Sequence, residues 1–174
     1  MDKPLYIKEM CPGVYLMDEA HEATGYLVVG REKACVIDTM NGYNDLNRAV
    51  REITDKPVFV INTHGHPDHI FGNIYFSQAY LHPADLELAR MFAEEPEFVR
   101  ICEENHFSMP PFSEVREGDV FDLGGRISKS MSFPDTRRAG LCCCSGKTGS
   151  CSPETESTII CGFSWTAARR WICW

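Results

Sequence analysis

The chain has 174 residues, 44% apolar and 24% charged, with a formal net charge of −8. That length suits one domain with a sizeable core, the acidity argues against a nucleic-acid partner, and no apolar run approaches the eighteen residues of a membrane span. The charge is unevenly spread: residues 1–126 carry 11 Lys and Arg against 22 Asp and Glu, net −11, and residues 127–174 carry 6 against 3, net +3.

Met1-Asp2-Lys3-Pro4 leads into no apolar stretch of the signal-peptide kind, so a cytoplasmic location is expected. Val14–Met17, Tyr26–Val29 and Ala34–Ile37 are β-rich runs separated by glycine or charged turns, and each predicts a strand. Asn44-Asp45 can cap a helix whose apolar residues Leu46, Ala49, Val50 and Ile53 recur at i, i+3, i+4 and i+7. A further strand is expected at Pro57–Ile61. Pro83 suits the first turn of a helix on which Leu88, Met91 and Phe92 share a face, and Pro96 is expected to end or kink it. Pro110-Pro111 marks a loop, and Val120–Leu123 before Gly124-Gly125 predicts a short strand and turn.

From Ile127 to Trp174 no period of 2 or 3.6 is sustained, which predicts an irregular tail. All three tryptophans lie after residue 164, and six of the nine cysteines fall in the last 33 residues. Those cysteines form no C-x-x-C pair, and three of them, Cys142-Cys143-Cys144, are consecutive, so neither structural zinc nor a disulfide framework is expected there. The chain divides into residues 1–126 and a Cys-, Ser- and Arg-rich segment, residues 127–174.

The run Thr63-His64-Gly65-His66-Pro67-Asp68-His69 follows the predicted strand directly. Three of the chain's six histidines and a carboxylate lie within it. Imidazole and carboxylate are usual ligands of Zn²⁺, and a tight loop at a strand end can aim several at one point. The H-x-H-x-D-H spacing can serve two ions, His64 and His66 holding one, Asp68 and His69 its neighbour. A polar loop that happens to be histidine-rich is the bland alternative. His82 reads as a helix-start or packing residue, His21 and His106 as surface or satisfied histidines, and Cys35 as inert core.

The loop and its surroundings resemble the metallo-β-lactamase superfamily. Cys35-Val36-Ile37-Asp38-Thr39 looks like the family's earlier strand ending in aspartate, preceded by the hairpin Gly25–Gly30. Ile70–Asn73 resembles the helix that opens after the loop, and Ala79–Asp85 the next strand and helix start. The resemblance covers about residues 5 to 126. It implies an α/β (α+β) fold, the N-terminal half of an αββα sandwich, with residues 127–174 standing outside the family pattern. It also implies two zinc ions per site, held in part by His64, His66, Asp68 and His69, and a small-molecule substrate. Asp68 would be catalytic by holding the second ion and orienting a zinc-activated hydroxide for ester, thioester, lactone or amide hydrolysis. Asp38 would orient a histidine, or simply cap its strand end.

Beyond residue 126 the family would supply P-G-H-T-P-G and then F-T-G-D. The chain has Phe133-Pro134-Asp135-Thr136-Arg137-Arg138-Ala139 and no histidine after His106. Read one base upstream, the codons of 133–139 permit P-G-H-T-P-G, Cys142-Cys143-Cys144 can only encode Leu-Leu, and Cys151–Thr155 permits F-T-G-D. A single-base frameshift near Arg126 is therefore expected, and Asp135 could ligate only by accident. With that half altered, strands Ala34–Ile37 and Val58–Ile61 would expose an apolar face, and self-association is expected. The chain then reads as a metal-dependent hydrolase by ancestry, impaired here, or as a non-enzymatic remnant with weak or no metal binding.

Overall fold

The structure, a computed structural model, describes residues 3–116 and 118–124 in full and the backbone of 126–132, 139–145 and 157–160. In chain order the elements are β1 (Leu5–Cys11), β2 (Val14–Glu19), β3 (Ala23–Val29), β4 (Ala34–Ile37), α1 (Leu46–Ile53), β5 (Val58–Ile61) and α2 (Pro67–Ile70). The second run is β6 (Ala79–Leu81), α3 (Leu86–Ala93), α4 (Pro96–Asn105), β7 (Phe112–Glu114), β8 (Val120–Asp122), β9 (Arg126–Ser132), β10 (Ala139–Ser145) and β11 (Ser157–Ile160). Short 3-10 turns at Phe71–Tyr75 and Pro83–Asp85 follow α2 and precede α3.

β1 to β7 lie side by side in one mixed sheet, in sequence order. β1 to β4 are antiparallel, joined by tight turns, and β4 to β7 are parallel. Parallel neighbours need crossovers, and α1, α2 and the α3–α4 pair provide them. A second, antiparallel sheet runs β11-β10-β9-β8.

The central strands are covered on both faces, as in buried parallel sheets. Ala34, Val36 and Val60 point to one side, into a cluster with Leu46 and Val50 of α1. Their neighbours Cys35, Ile37 and Ile61 point to the other, with Leu123 and the partly buried Phe121 at the second sheet. The period-2 alternation thus fills two cores, and Cys35 is buried in one of them, as its apolar strand implied. Asp45 caps α1 as expected, its carboxylate accepting from Arg48 N at 2.9 Å.

One expectation was incomplete and three need correction. The helix that follows Pro83 does end before Pro96, but Pro96 also begins a further one. α3 stops at Ala93, and Pro96 opens α4 at a position where a missing N–H costs nothing. On α3 the buried residue is Ala89, while Met91 is exposed, so the predicted Leu88–Met91–Phe92 face is rotated. Ala34–Ile37, Val60 and Ile61 are buried rather than laid bare. The segment read as irregular contains three strands of regular backbone, β9, β10 and β11, the first of which spans the expected boundary at residue 126. Asp135 and the segments 133–138 and 151–155 lie outside the described residues.

Candidate metal centre

β4 and β5 are parallel neighbours, with Ile37 beside Ile61, so both end at the same edge of the sheet. The residues that follow, Asp38-Thr39 and Asn62-Thr63, are therefore adjacent. Asp38 takes a left-handed backbone, φ 58°, a conformation Asp tolerates better than most side chains. Its carboxylate turns toward the next strand end. Oδ1 accepts from Thr63 N at 2.7 Å, and Oδ2 accepts from Thr63 Oγ1 at 2.7 Å and from His69 Nδ1 at 2.8 Å.

The two roles weighed for Asp38 are thus one arrangement: it ends its strand and also holds a ring of the histidine loop. Because the Thr63 hydroxyl proton is spent on Asp38, Thr63 Oγ1 is left to accept from His64 Nδ1, 3.1 Å away. In both rings Nδ1 carries a proton, which presents Nε2 as the ligand atom. This is the usual support for a metal-binding imidazole.

Pro67 starts α2, fixing the first turn so that Asp68 and His69 stand on consecutive helical positions. Gly65 permits the close approach of the loop to α3, since a Cβ there would lie 2.7 Å from Asp85 O. The result gathers His64, Asp68 and His69, with ligand atoms within 4.8 Å of one another. His66 stands outside that group, its ring 4.8 Å from that of His64 and 5.9 Å from Phe92. The sequence reading paired His64 with His66 and Asp68 with His69; the structure gathers His64, Asp68 and His69 and leaves His66 beside His64.

Burial works against a charge on His69, but the carboxylates of Asp38 and Asp68 outweigh it and raise the ring's pKa to about 10. Asp68 Oδ2 lies 3.3 Å from His69 Nε2, and this hydrogen bond holds the Asp68 carboxyl below its usual range against the pull of partial burial. His69 is therefore an imidazolium between two carboxylates, and its Nε2 proton occupies the place of a cation. Two imidazoles and a carboxylate form a donor set suited to zinc, which in catalytic sites takes three protein ligands and an open position. A divalent ion bound there would displace that proton.

The remaining sequence candidates lie elsewhere. His82 caps the Pro83–Asp85 turn, Nδ1 accepting from Ala84 N at 3.2 Å. His21 pairs with Asp18 and stacks on Tyr6, and His106 closes α4 in a left-handed conformation. Sequence reasoning missed Thr39, Asn62, Thr63 and Asn73, all buried. Polar residues next to the ends of two apolar strands were the available signal.

A sequence model of the metallo-beta-lactamase superfamily matches residues 21–135. The chain is similar to acyl-coenzyme A thioesterase MBLAC2 of Bos taurus, 28% identical over 167 residues that cover 78% of this chain and 60% of that protein. The Homo sapiens protein of the same name is 26% identical over the same shares. The chain thus spans about 60% of the length of these curated relatives. Among solved structures, a Cronobacter sakazakii metallo-beta-lactamase with a HARLDQ motif superposes with a TM-score of 0.62 at 17% identity, over 83% of this chain and 60% of the other. BJP-1, a subclass B3 metallo-beta-lactamase of Bradyrhizobium japonicum, gives 0.60 at 15%, over 82% and 58%. At these identities the structural likeness speaks for the fold alone.

Proposed function

The chain belongs to the metallo-beta-lactamase superfamily, and from that premise we propose that it is built as a zinc-dependent hydrolase of small acyl substrates, with thioesters the first class to test. The observation that carries this is the convergence of His64, Asp68 and His69 within 4.8 Å, with Asp38 anchoring the far nitrogen of His69. The thioester preference leans on the curated relatives, named as acyl-coenzyme A thioesterases. A zinc ion bound there would supply Lewis acidity and would lower the pKa of a bound water from 15.7 to about 7.

The protein's own residues do the positioning. His64, Asp68 and His69 would hold the ion, His66 adds an imidazole beside His64, and Asp68 faces the reacting centre as the most exposed of the three grouped donors. Asp38 and Thr63 hold the two buried rings at Nδ1, which would leave Nε2 of each for the metal. Apolar Phe92, next to His66, walls one side of the site.

A second reading is favoured by one observation: no histidine follows His106. The chain would then be an impaired member or a remnant that binds metal weakly, its residues 127–174 read one base out of frame. Metal analysis with a thioester and ester assay separates the two. About two zinc per chain with turnover supports the enzyme, and under about half a metal without turnover the remnant. An H64A/H66A variant should lose most of the bound metal; unchanged content would refute the ligand assignment. Coding DNA across codons 120–174 that fails to spell the two missing motifs in the shifted frame would end the frameshift proposal.

A further inference from the structure

We propose that Asn62, Asn73 and Thr39 are positioning residues of this metal centre, a buried chain of hydrogen bonds that holds the main-chain carbonyl of His69. That carbonyl fixes where Asp68 and His69 stand relative to His64. The inference rests on the reading of those three residues as metal ligands.

α2 is only four residues long. A single turn cannot hold itself, because nucleating a helix costs more than one turn returns, and its terminal carbonyls have no partners within it. In this chain the His69 carbonyl is held from outside. Asn62 Nδ2 donates to it at 2.6 Å and Thr39 N at 2.9 Å. Asn62 is oriented in turn by Asn73, whose Nδ2 donates to Asn62 Oδ1 at 2.9 Å. Asn73 Oδ1 accepts from Thr39 Oγ1 at 2.8 Å and from Asn62 Nδ2 at 3.3 Å. The Thr39 hydroxyl also lies 3.2 Å from His69 O, but its single proton goes to the nearer acceptor.

A chain of donors therefore runs from the Thr39 hydroxyl through Asn73 and Asn62 to His69 O, each polarising the next, while a longer bond from Asn62 Nδ2 back to Asn73 Oδ1 closes the two amides into a reciprocal pair. All three side chains are buried, where apolar residues of the same volume would avoid the cost of desolvating amides. Both ends of the chain are anchored in the central sheet. Thr39 directly follows Asp38, and Asn62 N donates to Tyr80 O of β6 at 2.8 Å. His69 is thus clamped twice, its ring by Asp38 and its backbone by Asn62, and the second clamp also governs Asp68 one residue earlier.

Cobalt(II) titration of the full chain, followed by calorimetry and by the visible spectrum of the bound ion, tests this. N62A and T39A should bind cobalt about 10- to 100-fold more weakly with an altered spectrum, the range for residues that orient metal ligands. T39S keeps the hydroxyl and should stay within about twofold of wild type. V50A, a core truncation in α1, controls for lost stability and should leave affinity unchanged. Wild-type affinity and spectrum in both N62A and T39A would overturn the proposal, as would a loss in V50A equal to theirs. Should N62A fail to fold, T39A against T39S isolates the same hydroxyl.

If the wild-type chain takes up no cobalt, or H64A binds it as well, the metal reading fails separately. The ¹⁵N imidazole resonances of His69 in the metal-free chain then decide the positioning role. A shift in T39A but not in T39S or V50A supports it, and resonances unmoved in T39A overturn it.

Discussion

Two histidine–aspartate pairs in this molecule share the same contact and differ in everything around it. His21 Nδ1 lies 2.8 Å from Asp18 Oδ2 in the β2–β3 turn, with side-chain exposures of 73% and 24%. His69 Nδ1 lies 2.8 Å from Asp38 Oδ2 beyond the ends of β4 and β5, with exposures of 10% and 4%. Water screens the first pair, and exposed pairs contribute little. The second pair is shut off from water, hydrogen-bonded on every side, and held by backbone that two parallel strands bring together. Contact distance alone does not make a site; enclosure and a second carboxylate, Asp68, turn the same pair into a charged assembly that a cation can enter.

The sharpest way to break that contrast is to remove the aspartate from each pair. Asp38→Ala strands the His69 ring and the Thr63 donors in the interior, and should cost about 3–5 kcal/mol in chemical denaturation, together with most of the metal affinity. A loss below about 1 kcal/mol would show that the buried pair behaves like the exposed one. Next in size is Gly72→Ala. A Cβ at Gly72 would lie 2.1 Å from Thr39 O, so the turn after α2 must shift, at about 1–3 kcal/mol. Metal affinity should fall with it, because the shift passes through Asn73 and His69. Unchanged affinity in a destabilised variant would show that the turn and the ligands are independent.

A third test uses pH. His69 is raised from its ordinary 6.5 to about 10, so the folded chain holds a proton that the unfolded chain releases sooner. The stability this contributes is full below about pH 6.5 and is lost as pH rises through about 10. The difference in urea midpoint between wild type and Asp38→Asn should therefore shrink between pH 6.5 and 10 in metal-free protein; a constant gap would remove the charge from the account. The smallest effect belongs to the exposed pair. Asp18→Ala should cost at most about 1 kcal/mol and leave both metal content and the pH profile unchanged.

Much of the fold could be read from local chemistry. The β-rich runs gave β2 to β5 within a few residues, Asp45 capped α1, and the loop from Thr63 to His69 stood where the strand pattern placed it. What escaped had specific causes. α4 was missed because Pro96 was read as a stop, when proline is equally at home in a first helical turn. The rotated face of α3 followed from taking Met91 as buried, and a flexible side chain at a helix surface carries no such obligation. β9 to β11 run through sequence without alternation, because backbone pairing does not require it. Thr39, Asn62 and Asn73 gave no periodic signal at all, since their partners lie 7 to 34 positions away.

The sequence by itself determined the candidate ligand types, their spacing and the family. Side-chain chemistry and a run of seven residues are local properties that no partner has to complete. Only the tertiary structure decided which ligands meet. His64 joins Asp68 and His69 because α2 carries the last two round toward the strand end, and Asp38 reaches them because β4 and β5 run parallel and finish together. A buried charge needs its counter-charge within a few ångströms, and that distance is set by how distant strands pair.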